Sequence, residues 1–301
     1  MPFEKIIGNN KIKKLLQEAI STRHFLHSYL FVGENGIGKK MFAKEFAKEI
    51  LYAKDSKESS YEQFDNNNHP DFTIINPDGN SIKIEQIRIL QNKIMEKPIL
   101  SDKKVYIIDD CEYMTKEAQN SLLKTLEEPP EYAVIILICS NENLLLNTIK
   151  SRCTKIVFQN LSKEELEKYI KEQNLFSSIN NTLLEAMGGS IGKAYGIKEK
   201  EDLYKQIEEI FLNIEKFDKI DIVQKSTNLY KAKDDIQNVL DYINIILFKK
   251  IKENNNFLNC AKIIENAKIR LKQNANFDMT IDDMLFHLWE EIHEKYNRSS
   301  F

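Results

Sequence analysis

The sequence predicts an α/β domain built on a parallel sheet, followed by a small helical lid and an all-α C-terminal region. Three observations carry that prediction. Up to about residue 158, short apolar runs alternate with stretches of helical periodicity. The runs 29–32, 105–108 and 133–139 are continuously apolar, as strands are when both faces of their sheet are covered, and 72–75 is strand-like. After Phe158 the strand pattern stops, and neither Gly nor Pro occurs from residue 197 to the end.

Each element has its own signal. Ile12, Leu15, Leu16 and Ala19 share one helical face, with Asn9 and Asn10 ahead of them as capping candidates. The run 29–32 enters a glycine-rich turn. From Lys39 onward, Phe42, Ala43, Phe46, Ala47, Ile50 and Leu51 line one side of a helix. Residues 54–68 are polar and read as a surface loop. Helices are expected over 84–95 and 115–126, the second stopped by Pro129 and Pro130, and a last strand over 155–158. Ser162 and Glu165 stand at capping-box spacing and open the helical remainder, which is interrupted at Gly188-Gly189-Ser190. Longer helices are expected near 233–252, 257–272 and 280–296. The division is therefore 1–160 as the α/β domain, 161–200 as the lid and 201–301 as an all-helical module.

Composition excludes several classes. With 301 residues, 43 Lys plus Arg against 46 Asp plus Glu and a net charge of -3, the chain is globular and nearly neutral. A stand-alone duplex-DNA binder usually carries a strongly basic face, so the balance weighs against that class, though not against a subunit that meets DNA inside an assembly. No apolar run approaches the ~20 residues of a membrane helix. The opening Met-Pro-Phe-Glu-Lys has no apolar core of a secretory leader, so a cytoplasmic protein is expected. Cys111, Cys139, Cys153 and Cys260 are scattered without C-x-x-C spacing, which argues against a zinc knuckle or a disulfide framework. Only five of the 43 basic residues are arginine, namely Arg23, Arg88, Arg152, Arg270 and Arg298. Each is worth checking for a task that lysine performs poorly.

Gly33-Glu34-Asn35-Gly36-Ile37-Gly38-Lys39-Lys40 follows a strand and opens a helix, the P-loop pattern in its required context. Gly33, Gly36 and Gly38 let backbone N–H groups turn toward phosphate, and Lys39 adds charge at a helix N-terminus. The last position holds Lys40 where the motif has Ser or Thr. That hydroxyl ligates Mg²⁺ in working sites, and an ammonium cannot. The strand 105–108 ends in Asp109 and Asp110, as a Walker B segment does. Asp109 suits Mg²⁺ through water. Asp110 stands where related ATPases carry the Glu that positions water, and its carboxylate is one methylene short. Weak or absent ATP binding is expected.

Residues 118–130, Ala-Gln-Asn-Ser-Leu-Leu-Lys-Thr-Leu-Glu-Glu-Pro-Pro, precede an apolar strand and then Ser151-Arg152-Cys153. Together with Ile6-Ile7-Gly8-Asn9, His27-Ser28-Tyr29-Leu30, His69-Pro70-Asp71 and Ile84-Glu85-Gln86-Ile87-Arg88, they resemble the AAA+ clamp-loader family of bacterial DNA polymerase III. Its delta-prime branch fits best. The resemblance covers the first ~160 residues, and beyond them it rests chiefly on helical character and Asn274-Ala275-Asn276. It implies a RecA-like P-loop domain, and Arg152, in its Ser151-Cys153 frame, as an arginine finger reaching a neighbouring subunit's ATP. It further implies gamma/tau and delta subunits as partners, with the sliding clamp and primer-template DNA met within the complex. Many members bind zinc through four cysteines after the P-loop helix; residues 52–68 contain none, so no zinc and no metal ligand set are expected. Lys193 stands about where active relatives place a lid arginine, and Ser140 or Asn141 about where a polar sensor ends the fourth strand. Two other readings are weighed: an ATP-hydrolysing motor of the gamma/tau type, and a small-molecule kinase. The kinase reading lacks the hydroxyl at 40 and an arginine-rich lid, since only Arg270 and Arg298 follow residue 160.

Overall fold

Successive side chains along a strand point to opposite faces, and in the central strands here both faces are covered. In the computed structural model, which describes residues 2–4, 6–52, 64, 68–253 and 259–298, the strands are β1 (Ser28–Val32), β2 (Phe72–Ile75), β3 (Lys104–Ile108), β4 (Ala133–Cys139) and β5 (Thr154–Val157). They form one parallel sheet in the order β2-β3-β4-β1-β5. The helices flanking it are α1 (Asn10–Thr22), α2 (Lys39–Tyr52), α3 (Ile84–Ile94), α4 (Lys116–Glu127) and the short α5 (Asn147–Lys150). Tyr29, Phe31, Val105, Ile107 and Val134 pack on one face with Phe42 and Phe46 of α2. Leu30, Tyr106, Ile108 and Ile135 pack on the other with Leu90 of α3 and Leu122 of α4. Each central run thus feeds two cores, which is why it is apolar without alternation.

Two expectations shift. Asn9 sits at the N-cap of α1 in a left-handed conformation, and its side chain makes no cap bond. Its amide instead exchanges two hydrogen bonds with the backbone of Gln159, at 2.9 and 3.0 Å. The last strand begins and ends one residue early, because β5 is an edge strand with only Ile156 buried. Other signals hold: Thr115 caps α4 by accepting from the Ala118 N–H, and Ser162 and Glu165 form the reciprocal capping box.

After β5 the described residues are helical: α6 (Lys163–Glu172), α7 (Asn181–Met187), α8 (Ile191–Glu199), α9 (Glu201–Leu212), α10 (Lys219–Tyr230), α11 (Ile236–Glu253), α12 (Cys260–Lys272) and α13 (Phe277–Arg298). The chain divides into two compact units, 1–169 with 189–192, and 170–188 with 193–301. In the second, α11 packs against α7, α9 and α12, and α13 against α10 and α12. Its core includes the ring pair Tyr204–Tyr242, 5.2 Å between centroids, and the Tyr204 hydroxyl donates to Asp235 at 3.0 Å. Among the described residues no helix is long and apolar enough to cross a membrane.

Candidate functional site

The loop between β1 and α2 is bound at both ends to the sheet and helix it joins. The Gly33 N–H donates to the Cys139 carbonyl at 3.3 Å, and the Gly38 carbonyl accepts the Phe42 N–H at 3.0 Å. Gly36 is in the left-handed region, at φ 76°. It is also crowded: a Cβ there would lie 2.6 Å from the Ser190 Oγ and 2.9 Å from the Gly192 Cα. The segment 189–192, part of the same compact unit, rests on this loop. The Gly192 N–H donates to the Gly36 carbonyl at 2.8 Å, and the Ser190 hydroxyl to the Asn35 carbonyl at 3.0 Å.

Both loop lysines are engaged by the protein itself. Lys39 is buried, and its Nζ donates to the Gly33 and Glu34 carbonyls at 2.5 and 2.7 Å. Burial lowers its pKa, opposed by the charges of Glu112, Cys139, Asp110 and Asp109. The Lys40 Nζ lies 2.7 Å from the Asp109 Oδ2 and donates to the Asn76 Oδ1 at 3.0 Å. A Walker B aspartate would face Mg²⁺; here it faces an ammonium. That cation supplies charge but no coordination site, so these residues do not fit a Mg²⁺–nucleotide complex. Asp110 follows in a left-handed conformation, and burial, Asp109 and Glu112 together raise its carboxyl pKa against the pull of Lys39 and Lys40.

Arg152 makes its contacts elsewhere. Following α5, its guanidinium donates to the Thr148 carbonyl at 2.9 Å and pairs with Glu127 at 2.5 Å. Arg152 is one-third exposed and Glu127 about half, so this ion pair is worth at most about 1 kcal/mol and is readily exchanged for another anion. Ser151 donates to the Thr148 carbonyl at 3.1 Å. Cys153 turns inward onto the β-sheet core, where burial pushes its thiol up to about 12. The triplet therefore has two anchored ends, Ser151 and Cys153, and a part-exposed cation between them.

Sequence reading missed several participants. Asn76 had no signal beyond polarity, and Glu127 lay within the 118–130 motif without being singled out. The contacts of Ser190 and Gly192 with the loop join positions some 155 residues apart. Glu112 is buried and accepts from both the N–H (2.8 Å) and the hydroxyl of Ser140, so the sensor candidate Ser140 is bound by an acid nobody would pick from spacing. Asn141 caps the following turn by accepting the Asn143 N–H. Lys193 belongs to the second compact unit. The segment 52–68, expected to hold no zinc, falls mostly outside the described residues, as does most of the polar loop 54–68.

A glycine-rich loop between β1 and a helix, an acid at the end of β3, and five parallel strands in this order define a P-loop domain of the AAA+ class. The chain belongs to the family described as "DNA polymerase III, delta subunit", which matches residues 8–162. It is 35% identical over 189 residues to DNA polymerase III subunit delta' of Bacillus subtilis, a match covering 59% of this chain and 57% of that protein. It is 32% identical over 137 residues to the delta' subunit of Pseudomonas aeruginosa, covering 43% and 42%. With subunit tau of Bacillus subtilis it shares 33% identity over 170 residues, 54% of this chain and 30% of that one. The matches thus span about half the length, or less, of these relatives. In fold, the chain resembles a DNA polymerase III gamma-subunit-related protein from Thermotoga maritima, with a TM-score of 0.53 at 20% identity, over 92% of this chain and 99% of that one. The delta-prime resemblance read from the motifs agrees with these relatives.

Proposed function

We propose that this chain is a non-catalytic, stator-like subunit of the replicative clamp loader, supplying Arg152 in trans to a neighbouring ATPase subunit. The observation that carries the reading is the Lys40–Asp109 contact at 2.7 Å, which puts an internal cation where a motor subunit needs Mg²⁺. Intrinsic ATP turnover is absent under this reading, ATP binding is weak or absent, and segment 52–68 carries no zinc. Catalytic work is confined to the neighbour, whose γ-phosphate draws Arg152 off the weak Glu127 pair. Ser151 and Cys153 fix the finger's base. A planar, permanently charged fork suits the charge of a transferring phosphoryl group.

Residues 1–160 then act as the AAA+ domain, 161–200 as its lid and 201–301 as a collar that joins the ring. The partners are gamma/tau and delta subunits in the cytoplasm, with the sliding clamp and primed DNA engaged by the assembled loader within the DNA polymerase III holoenzyme. The similarity to subunit tau and the retained Gly33–Lys39 frame favour one other reading, an ATP-hydrolysing motor of the gamma/tau type. ATP turnover by wild type as fast as by Lys40→Thr would favour the motor, and Arg152→Ala in a reconstituted loader tests the finger. The stator reading expects DNA-stimulated ATPase to collapse while the loader still assembles. Unchanged ATPase would end it.

A further inference from the structure

The adjacent residues Cys111 and Glu112, just past β3, meet Cys139 at the C-terminal end of β4. Cys111 Sγ, Cys139 Sγ and a carboxylate oxygen of Glu112 all lie within 4.8 Å of one another, and all three residues are buried. The Glu112 carboxylate is only half used. Its Oε1 accepts twice from Ser140, whereas Oε2 is fully buried with no hydrogen-bond partner. A buried carboxylate oxygen without a partner is costly. Beside two thiols, the group that satisfies it best is a cation.

We propose that Cys111, Cys139 and Glu112 form a buried binding site for a thiophilic divalent ion of the Zn²⁺ class. Two thiolates and a carboxylate are a donor set suited to zinc, whereas Mg²⁺ and Ca²⁺ take oxygen alone. The geometry is near. A tetrahedral ion with Zn–S of about 2.3 Å and Zn–O of about 2.1 Å sets its donors roughly 3.5–3.8 Å apart, so closure asks for movements of about an ångström. Charge also balances: the ion enters, the two S–H protons leave to solvent, and the total charge of the cluster is unchanged. Lys39, whose pKa burial lowers against the opposing charges of Glu112 and Cys139, remains as counter-charge beside it. The ion would tie β3 to β4 directly behind Asp109 and Asp110, a structural brace rather than a catalytic centre. The sequence hides the site because Cys111 and Cys139 are 28 residues apart and neither has a metal-ligand spacing.

The test uses the full chain purified without chelator, then equilibrated with micromolar Zn²⁺ and, separately, Co²⁺. One tightly held zinc per chain by elemental analysis, and a thiolate-to-cobalt charge-transfer absorption in the near ultraviolet, are expected. Glu112→Gln, close in shape, weakens zinc at least ~10-fold, as loss of a ligand or its partner does elsewhere; Cys139→Ser removes the cobalt band; Cys260→Ser keeps both. Circular dichroism verifies that each variant is folded. A wild-type chain that binds no zinc at micromolar concentration overturns the proposal. So does zinc that binds Glu112→Gln and Cys139→Ser as well as it binds wild type, or that is lost in Cys260→Ser.

Discussion

The P-loop and the Ser151-Arg152-Cys153 turn both carry cations in motifs associated with phosphate, yet the fold treats them oppositely. At the P-loop, Lys39 is folded back on two carbonyls of its own loop, Lys40 is paired with Asp109, and the segment 189–192 rests on Gly36. At the turn, Arg152 stays part-exposed on a solvent-screened pair with Glu127. One site has its charge neutralised from within, and the other keeps its charge available to an outside anion. On the proposed reading a motif and its function have separated: the loop keeps its backbone course while Lys39 and Lys40 are engaged by the protein's own groups.

The largest effect tests the outward half of that contrast. Arg152→Ala in a reconstituted loader should reduce ATP turnover about 10³-fold or more, the scale of fingers acting in trans. Arg152→Lys should recover little, since an ammonium lacks the planar fork. Glu127→Gln should change turnover within about fivefold, because an exposed ion pair is worth at most about 1 kcal/mol. A collapse in Glu127→Gln as deep as in Arg152→Ala would mean that the pair itself, and not a released guanidinium, does the work.

Next in size is a change in stability that leaves both regions untouched. The Asp71 carboxylate accepts the N–H groups of Ile99, Leu100 and Ser101 at 2.8, 2.7 and 2.9 Å. Asp71→Ala leaves these donors without their acceptor and should cost on the order of 3 kcal/mol, read from the urea midpoint. The smallest effect concerns pH. His69 accepts the Asp71 N–H on Nδ1 at 3.1 Å, which requires the neutral ring. Burial lowers its pKa, with Asp71 opposing. The unfolded chain therefore binds the proton more readily, and stability falls as pH drops from about 6.5 toward the lower folded value. His69→Gln should flatten the urea midpoint between about pH 6.5 and 5.5; an equal slope in both proteins would assign the dependence to other groups.

How much of this was legible in the sequence depends on what each feature is made of. The strand at 133–139 appears where its apolar run places it, because burial on both faces is written in consecutive residues. β5 was shifted by one residue because an edge strand buries only Ile156. Asn9 read as a cap by spacing, but its partner Gln159 is 150 residues away. The P-loop departure was legible at Lys40 as a wrong residue type. That its ammonium would find Asp109 and Asn76 was not, since strand order decides it. Glu112 carried no pattern at all, and its charge opposes the burial that lowers the Lys39 pKa.

The inward half of the contrast is tested most directly by nucleotide binding to the isolated chain. Wild type and Lys40→Thr would be titrated with a fluorescent ATP analogue in the presence of Mg²⁺. The account predicts no saturable binding by wild type at millimolar nucleotide, and measurable binding once the ammonium that holds Asp109 is replaced by a hydroxyl. Micromolar, Mg²⁺-dependent binding by wild type would contradict it, because it would show that Lys40 gives way to the metal it is placed to replace.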